Sequence, residues 1–127
     1  MNGQQSRLES RLARGRAAEQ AALEFLESRG YRLVDRNVRR GRWEIDLIVR
    51  AGETLVFVEV RSRSNQRFGS AAETVGRRKQ RHLVNAAELW LRGHPQGGPI
   101  RFDVIDVDTG HARSRCRHFV DAFRSPV

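Results

Sequence analysis

A single cysteine, Cys116, in 127 residues leaves no intrachain disulfide and no cysteine-rich zinc site, and it fits a reducing compartment. Nowhere does the chain approach the ~18–20 consecutive apolar residues of a membrane-spanning helix. The opening Met-Asn-Gly-Gln-Gln-Ser-Arg also lacks an apolar segment of signal-peptide type, so the expectation is a cytoplasmic protein with no membrane partner. The four histidines, His82, His94, His111 and His118, show no ligand spacing on one helix, which argues against zinc. Neither a phosphate-binding Gly-x-x-x-x-Gly-Lys loop nor a dinucleotide fingerprint occurs, which removes the common nucleotide-hydrolysing and redox classes. Lysine is almost missing: Lys79 is the only one among 24 basic residues, and the other 23 are arginine.

What remains is strongly basic. Against those 24 cations stand 15 acids, a formal net charge of +9, which suggests a polyanionic partner bound through phosphate neutralisation and counterion release. The length suits one domain with one modest core, and 39% hydrophobic residues are enough to fold it. Residues 1–5 and 125–127 read as tails.

Helical periodicity over residues 6–29 places Leu8, Leu12, Ala22, Leu23 and Leu26 near one face, with Gly30 as the stop. Short strands follow over 31–38, 43–50 and 55–62, the last two flanking Ala51-Gly52-Glu53-Thr54, a hairpin signal with glycine at the first central position. A second helix is expected over about 71–92, with Val75, Leu83, Ala86, Ala87, Trp90 and Leu91 as its stripe; Trp90 and Phe25 read as core. Residues 100–107 and 115–123 alternate well enough to be strands. The order is that of an α/β fold with a central mixed β-sheet flanked by helices.

A two-residue loop at Gly52-Glu53 pairs residues whose numbers sum to 105. One face then carries Ile45 with Val60, Leu47 with Val58 and Val49 with Val56. The other carries Ile48 with Phe57, Asp46 with Glu59 and Glu44 with Arg61. Opposed Cβ atoms lie ~4.5–5.5 Å apart, and two unit charges at that spacing repel by roughly 3 kcal/mol at an effective dielectric near 20. A proton, a nearby arginine such as Arg61, or a divalent cation must compensate. Glu19 falls within the apolar stripe of the first helix; if that helix covers the polar face of the hairpin, Glu19, Asp46 and Glu59 converge. Lys79, four residues from both Val75 and Leu83, falls on the inward stripe of the second helix.

Gly15-Arg16-Ala17-Ala18-Glu19, Gly30-Tyr31, Arg36-Asn37, Trp43-Glu44-Ile45-Asp46-Leu47-Ile48, Leu55-Val56-Phe57-Val58-Glu59-Val60-Arg61, Arg67-Phe68-Gly69 and Lys79-Gln80 together resemble the YraN-like bacterial family. That family is similar to archaeal Holliday-junction resolvases and, more distantly, to restriction endonucleases. The resemblance implies a restriction-endonuclease-like αβββαβ core. It implies Mg²⁺ or Mn²⁺ held by Asp46, Glu59 and the backbone carbonyl of Val60, with Glu19 as the first-helix acid. The implied activity is endonucleolytic hydrolysis of phosphodiesters in branched DNA by a homodimer.

Two departures stand out. Arg61 occupies the lysine position of the nuclease motif, and a guanidinium stays protonated, so it binds charge but cannot act as a general base. Three accounts follow: Arg61 performs the electrostatic part of that role, Lys79 has taken it over, or cleavage is lost and binding kept. Ala18 and Trp43 stand where the family has glycine. Arg39, Arg40, Arg42, Arg63, Arg67, Arg77 and Arg78 bracket the hairpin in sequence and are the expected nucleic-acid contacts.

Overall fold

The computed structural model describes residues 3–63 and 75–124, with side chains in the first helix at residue 13 and from residue 15 onward. Helix α1 (Gly3–Ser28) ends where Leu26 O accepts from Arg29 N and Tyr31 N, at 2.9 and 3.1 Å, and Gly30 takes φ +88°. That left-handed turn is the low-cost glycine conformation expected of a helix stop.

Strands β1 (Arg32–Arg40), β2 (Trp43–Ala51) and β3 (Thr54–Arg63) follow as an antiparallel meander. Both turns have two residues, with Gly41 at φ +64° and Gly52 at φ +60° in first position, the twist-matching arrangement for adjacent strands. Helix α2 (Arg77–Gly93) then carries the chain to β4 (Ile100–Asp108), which runs parallel to β3, and β5 (Arg115–Phe123) returns antiparallel. The sheet order β1-β2-β3-β4-β5 is therefore mixed, as the order of elements implied. A parallel neighbour needs a crossover, and α2 is part of it.

Two faces divide the core. Ala18, Ala22, Leu23 and Leu26 of α1 pack on Leu47, Val49, Val56, Val58, Ile105 and Val107. Val84, Ala86, Ala87 and Trp90 of α2 pack on Ile48, Phe57 and Phe102. Helix α1 thus covers the apolar face of the hairpin, and α2 covers the face that carries polar residues, opposite to the arrangement that would bring Glu19 directly over the hairpin acids. Ala18, at a glycine position of the family, is buried in this contact.

Two further expectations change. Helix α2 begins at Arg77 and not near residue 71: Gly76 is extended (φ −66°, ψ 163°) and Val75 is buried ahead of the helix. Residues 71–74 lie outside the described part. The 105 register holds from Ala51↔Thr54 to Leu47↔Val58 and stops there. Ile45 joins Val38 and Ile48 in the α2-side cluster, so face alternation breaks between Ile45 and Leu47.

Candidate metal and nucleic-acid site

The break in the ladder is made by Asp46. Its Oδ2 accepts from the Val60 backbone N–H at 2.8 Å, taking over a donor that the β2 main chain would otherwise use. On the neighbouring strand Asn37 adopts φ +51°, a left-handed conformation that asparagine tolerates better than most residues, and the β1–β2 ladder omits the pair Asn37 with Asp46 between Arg36↔Leu47 and Val38↔Ile45, with no change of register. Asn37 and Asp46 thus occupy one irregular spot in the middle of the sheet.

Asp46 and Glu59 lie close enough for each to act on the other's titration. Burial pushes Glu59 up to about 8, the Asp46 charge adds to the rise, and Lys79 opposes it. Burial also raises Asp46, against the lowering effect of the Val60 N–H. Lys79 Nζ lies 3.5 Å from Glu59 Oε1; the lysine side chain is 47% exposed and the glutamate 6%. Lys79 therefore reaches from the rim of α2 onto a buried acid, its stem along the helix and its head near water.

The sequence-derived residues sort clearly. Asp46, Glu59, Val60 and Lys79 come together. Glu19 borders the pair through Asn37: the Asn37 side-chain amide, with its nitrogen toward α1, donates to its Oε2 and Oε1 at 2.8 and 3.3 Å, and the Asp46 charge reaches it through space. Burial, then the Asp46 charge, raises the Glu19 carboxyl. Arg61 does not pair with Glu44, whose nearby cation is Arg39 at 4.0 Å; it lies in register with Asp106 on β4. Among the described residues no three of His, Cys, Asp and Glu group as a metal cage. Two adjacent carboxylates suit Mg²⁺, which keeps several waters and uses one or two protein carboxylates together with substrate oxygens.

A basic rim adjoins the pair. Arg78, Arg42, Lys79 and Arg81 surround His82 closely enough to depress its pKa after the effect of burial, so the β1–β2 turn and the first turns of α2 form one patch. Arg77, Arg78 and Arg42 are exposed, and Arg39 sits at the end of β1. Arg40 bonds the carbonyl of Arg39 at 2.7 Å. Arg63 is the last residue of β3, the strand that carries Glu59, and Arg67 is outside the described residues. The helix itself supports the patch, because its first turn holds no acid and its N-cap is Gly76 without a side-chain cap. Basic side chains there oppose the helix dipole, and both suit an anion. Sequence reasoning missed two positions: Asn37, whose φ has no periodic signature, and Asp106, which read as one residue of an alternating strand.

The model of the family described as "Uncharacterised protein family UPF0102" matches residues 18–107, most of the chain and every strand of the site. The chain belongs to the UPF0102 family. This is the YraN-like family of the sequence motifs. The UPF0102 protein of Anaeromyxobacter dehalogenans is 48% identical over 118 residues, covering 91% of this chain and 87% of its own. That of Symbiobacterium thermophilum is 48% identical over 113 residues (87% and 96%), and that of Ralstonia nicotianae 52% over 101 (76% and 78%). No helix of this UPF0102 chain is long and apolar enough to cross a membrane, among the residues described.

Proposed function

We propose that this UPF0102 chain is a metal-dependent nuclease of resolvase type, hydrolysing phosphodiesters in branched or structured DNA. The observation that carries the reading is the buried Asp46–Glu59 pair, the first carboxylate raising the second, with Lys79 Nζ 3.5 Å from Glu59 and a rim of arginines beside it. Two adjacent buried acids are an unfavourable arrangement for stability alone, and Lys79 faces only Glu59, so a divalent cation would supply counter-charge to both. Asp46, Glu59 and the Val60 carbonyl would hold Mg²⁺ or Mn²⁺, which polarises a scissile phosphate and lowers the pKa of water.

The remaining work belongs to the chain. Arg42, Arg78 and the open N-terminus of α2 bind backbone phosphates and set the strand's register, without reading sequence. Lys79 opposes the rise of the Glu59 carboxyl and, half exposed, reaches the phosphate side of the pair. Of the three accounts of the missing motif lysine, the Lys79–Glu59 contact favours Lys79 as the cation of the site, with Arg61 as a second phosphate ligand. Glu19, tied to Asn37, holds the edge of the site and adds negative charge beside Asp46.

The test is a divalent-ion titration on a panel of branched, duplex and single-stranded DNA. Nicking of branched DNA that needs Mg²⁺ or Mn²⁺ and disappears in Asp46→Asn supports the reading. A second reading, binding without cleavage, is favoured by Arg61 at the lysine position; it predicts salt-sensitive DNA binding with no metal-dependent product. The resolvase likeness further implies a homodimer, which sedimentation with and without branched DNA checks.

A further inference from the structure

The β1–β2 turn brings an aromatic side chain to the rim of the acid pair. Trp43, the first residue of β2, packs against the α2-side core, and its ring lies beside His82 of α2 with centroids 6.4 Å apart and planes tilted by 38°. That separation is within the ~4.5–7 Å range of interacting rings. Trp43 and His82 are each half-buried, so the pair is not closed inside the core. The fully buried aromatics of this face, Trp90, Phe57 and Phe102, contact one another instead.

Packing alone does not account for an indole at this place. Trp43 Nε1 is buried with no hydrogen-bond partner among the described residues, whereas Trp90 Nε1 donates to Asp35 Oδ2 at 3.3 Å. Buried indole N–H groups ordinarily find an acceptor, and an unsatisfied one costs stability that leucine would not lose. Nε1 is also the only polar atom of the side chain, so whatever part of it reaches solvent is carbon surface of the ring.

Cations flank the two rings. Arg42 precedes Trp43 in the turn, and Arg78 stands four residues before His82 on the same face of α2; both are exposed. Lys79, whose Nζ is 3.5 Å from Glu59 Oε1, stands three residues before His82, about 4.5 Å along the helix axis. Aromatic surface between guanidiniums is the composition of a groove for single-stranded nucleic acid, in which cations take phosphates and rings take the π-faces of bases. A paired base keeps its faces stacked on its neighbours, so only an unpaired one is open to such a surface.

We propose that Trp43 and His82 form a stacking platform for one unpaired nucleobase, one turn of α2 away from the Lys79–Glu59 contact. The proposal rests on the nuclease reading above and supplies its substrate preference. The platform holds a base that has left the duplex at a branch point, while Arg42 and Arg78 hold the flanking phosphates. Trp43 is thereby a specificity-determining residue whose contribution is separable from metal and from cleavage.

The experiment uses the full, metal-free chain at low salt as wild type, Trp43→Leu, Trp43→Phe and His82→Ala. The probes are a labelled duplex with a single-stranded arm, the same molecule with abasic sites throughout the arm, and a fully paired duplex of equal charge. Trp43 and Trp90 are the only tryptophans, so emission quenching that Trp43→Phe removes belongs to Trp43. The base-bearing arm should quench Trp43, and the abasic arm and paired duplex should not. Trp43→Leu should bind the base-bearing arm roughly fivefold to hundredfold more weakly and the abasic arm within about twofold of wild type, with most of the loss recovered in Trp43→Phe. His82→Ala should likewise weaken binding of the base-bearing arm alone. Equal weakening on both arms, or equal quenching by all three DNAs, overturns the platform. Should Trp43→Leu fail to fold, wild type decides: an abasic arm bound as tightly as the base-bearing arm overturns it. Base-dependent quenching without any product on adding Mg²⁺ or Mn²⁺ upholds the platform and overturns the nuclease reading, whereas metal-dependent nicking of branched DNA without quenching overturns the platform alone.

Discussion

Glu59 is the residue on which stability and function pull in opposite directions. Its carboxyl is raised from an ordinary 4.5 to about 8, chiefly by burial, so the folded chain binds that proton more tightly than the unfolded chain does. The stabilisation is complete below pH ~4.5 and drains away as pH rises to about 8, because the unfolded state binds fewer protons throughout that window. Glu59→Gln should therefore raise metal-free stability near pH 8 by ~1–3 kcal/mol, with little effect at pH 4, measured by denaturant unfolding at both pH values. Mg²⁺ should stabilise wild type above pH 7 and leave Glu59→Gln unchanged, since the ion must displace the proton that glutamine never holds. Lys79→Met should push the Glu59 carboxyl higher and move the alkaline onset of metal binding upward, which metal titrations across pH 6–9 detect. Strand pairing brought Asp46 and Glu59 together in the sequence although the ladder itself ends at Leu47↔Val58, whereas helical spacing put Lys79 on the inward face of its helix without saying which acid it meets. The register partner of Arg61 was not legible, because Asp106 enters from β4, across a parallel pairing that no local pattern encodes.

Among the elements, the β1–β2–β3 meander shows where periodic reasoning holds and where it gives way. The turn at Gly52-Glu53 and the register through Leu47↔Val58 follow from glycine's access to positive φ and from a period of two. The pairs beyond fail because the Asp46 side chain takes the Val60 N–H, a bond with no sequence period. Asn37→Ala should cost ~1–3 kcal/mol, since alanine is strained at φ +51°. Asn37→Gly should recover most of that stability without restoring the bond to Glu19, so any loss of activity that persists in the glycine variant measures Glu19's placement. Thermal melts and nicking assays on the two variants separate these effects. At the opposite end of the hairpin, a Cβ on Gly98 would meet Glu53 O at 2.8 Å, where Leu55 N also bonds Pro99 O. Gly98→Ala should lower stability by ~1–3 kcal/mol without altering metal affinity.

At the scale of the whole molecule, a chain of net charge +9 places, among its described residues, two helices on opposite faces of a mixed five-stranded sheet, with Arg42, Arg78, Lys79 and Arg81 on one patch near the acid pair. The α/β class was legible because helix and strand patterns alternate cleanly along the chain. The side that each helix covers was not, since amphipathicity says that a face is buried and leaves open against what. If the rim of Arg42 and Arg78 tracks phosphates, Arg42→Gln and Arg78→Gln should each weaken DNA binding uniformly across sequences and reduce the salt slope by about 1. The most direct measurement is cleavage of a four-way DNA junction at pH 8 during Mg²⁺ and Mn²⁺ titration, by wild type and by folded Asp46→Asn and Glu59→Gln. The account predicts metal-dependent nicking by wild type that both substitutions abolish while junction binding persists. Nicking that survives both substitutions, or junction binding by wild type with no product at any metal concentration, would contradict it.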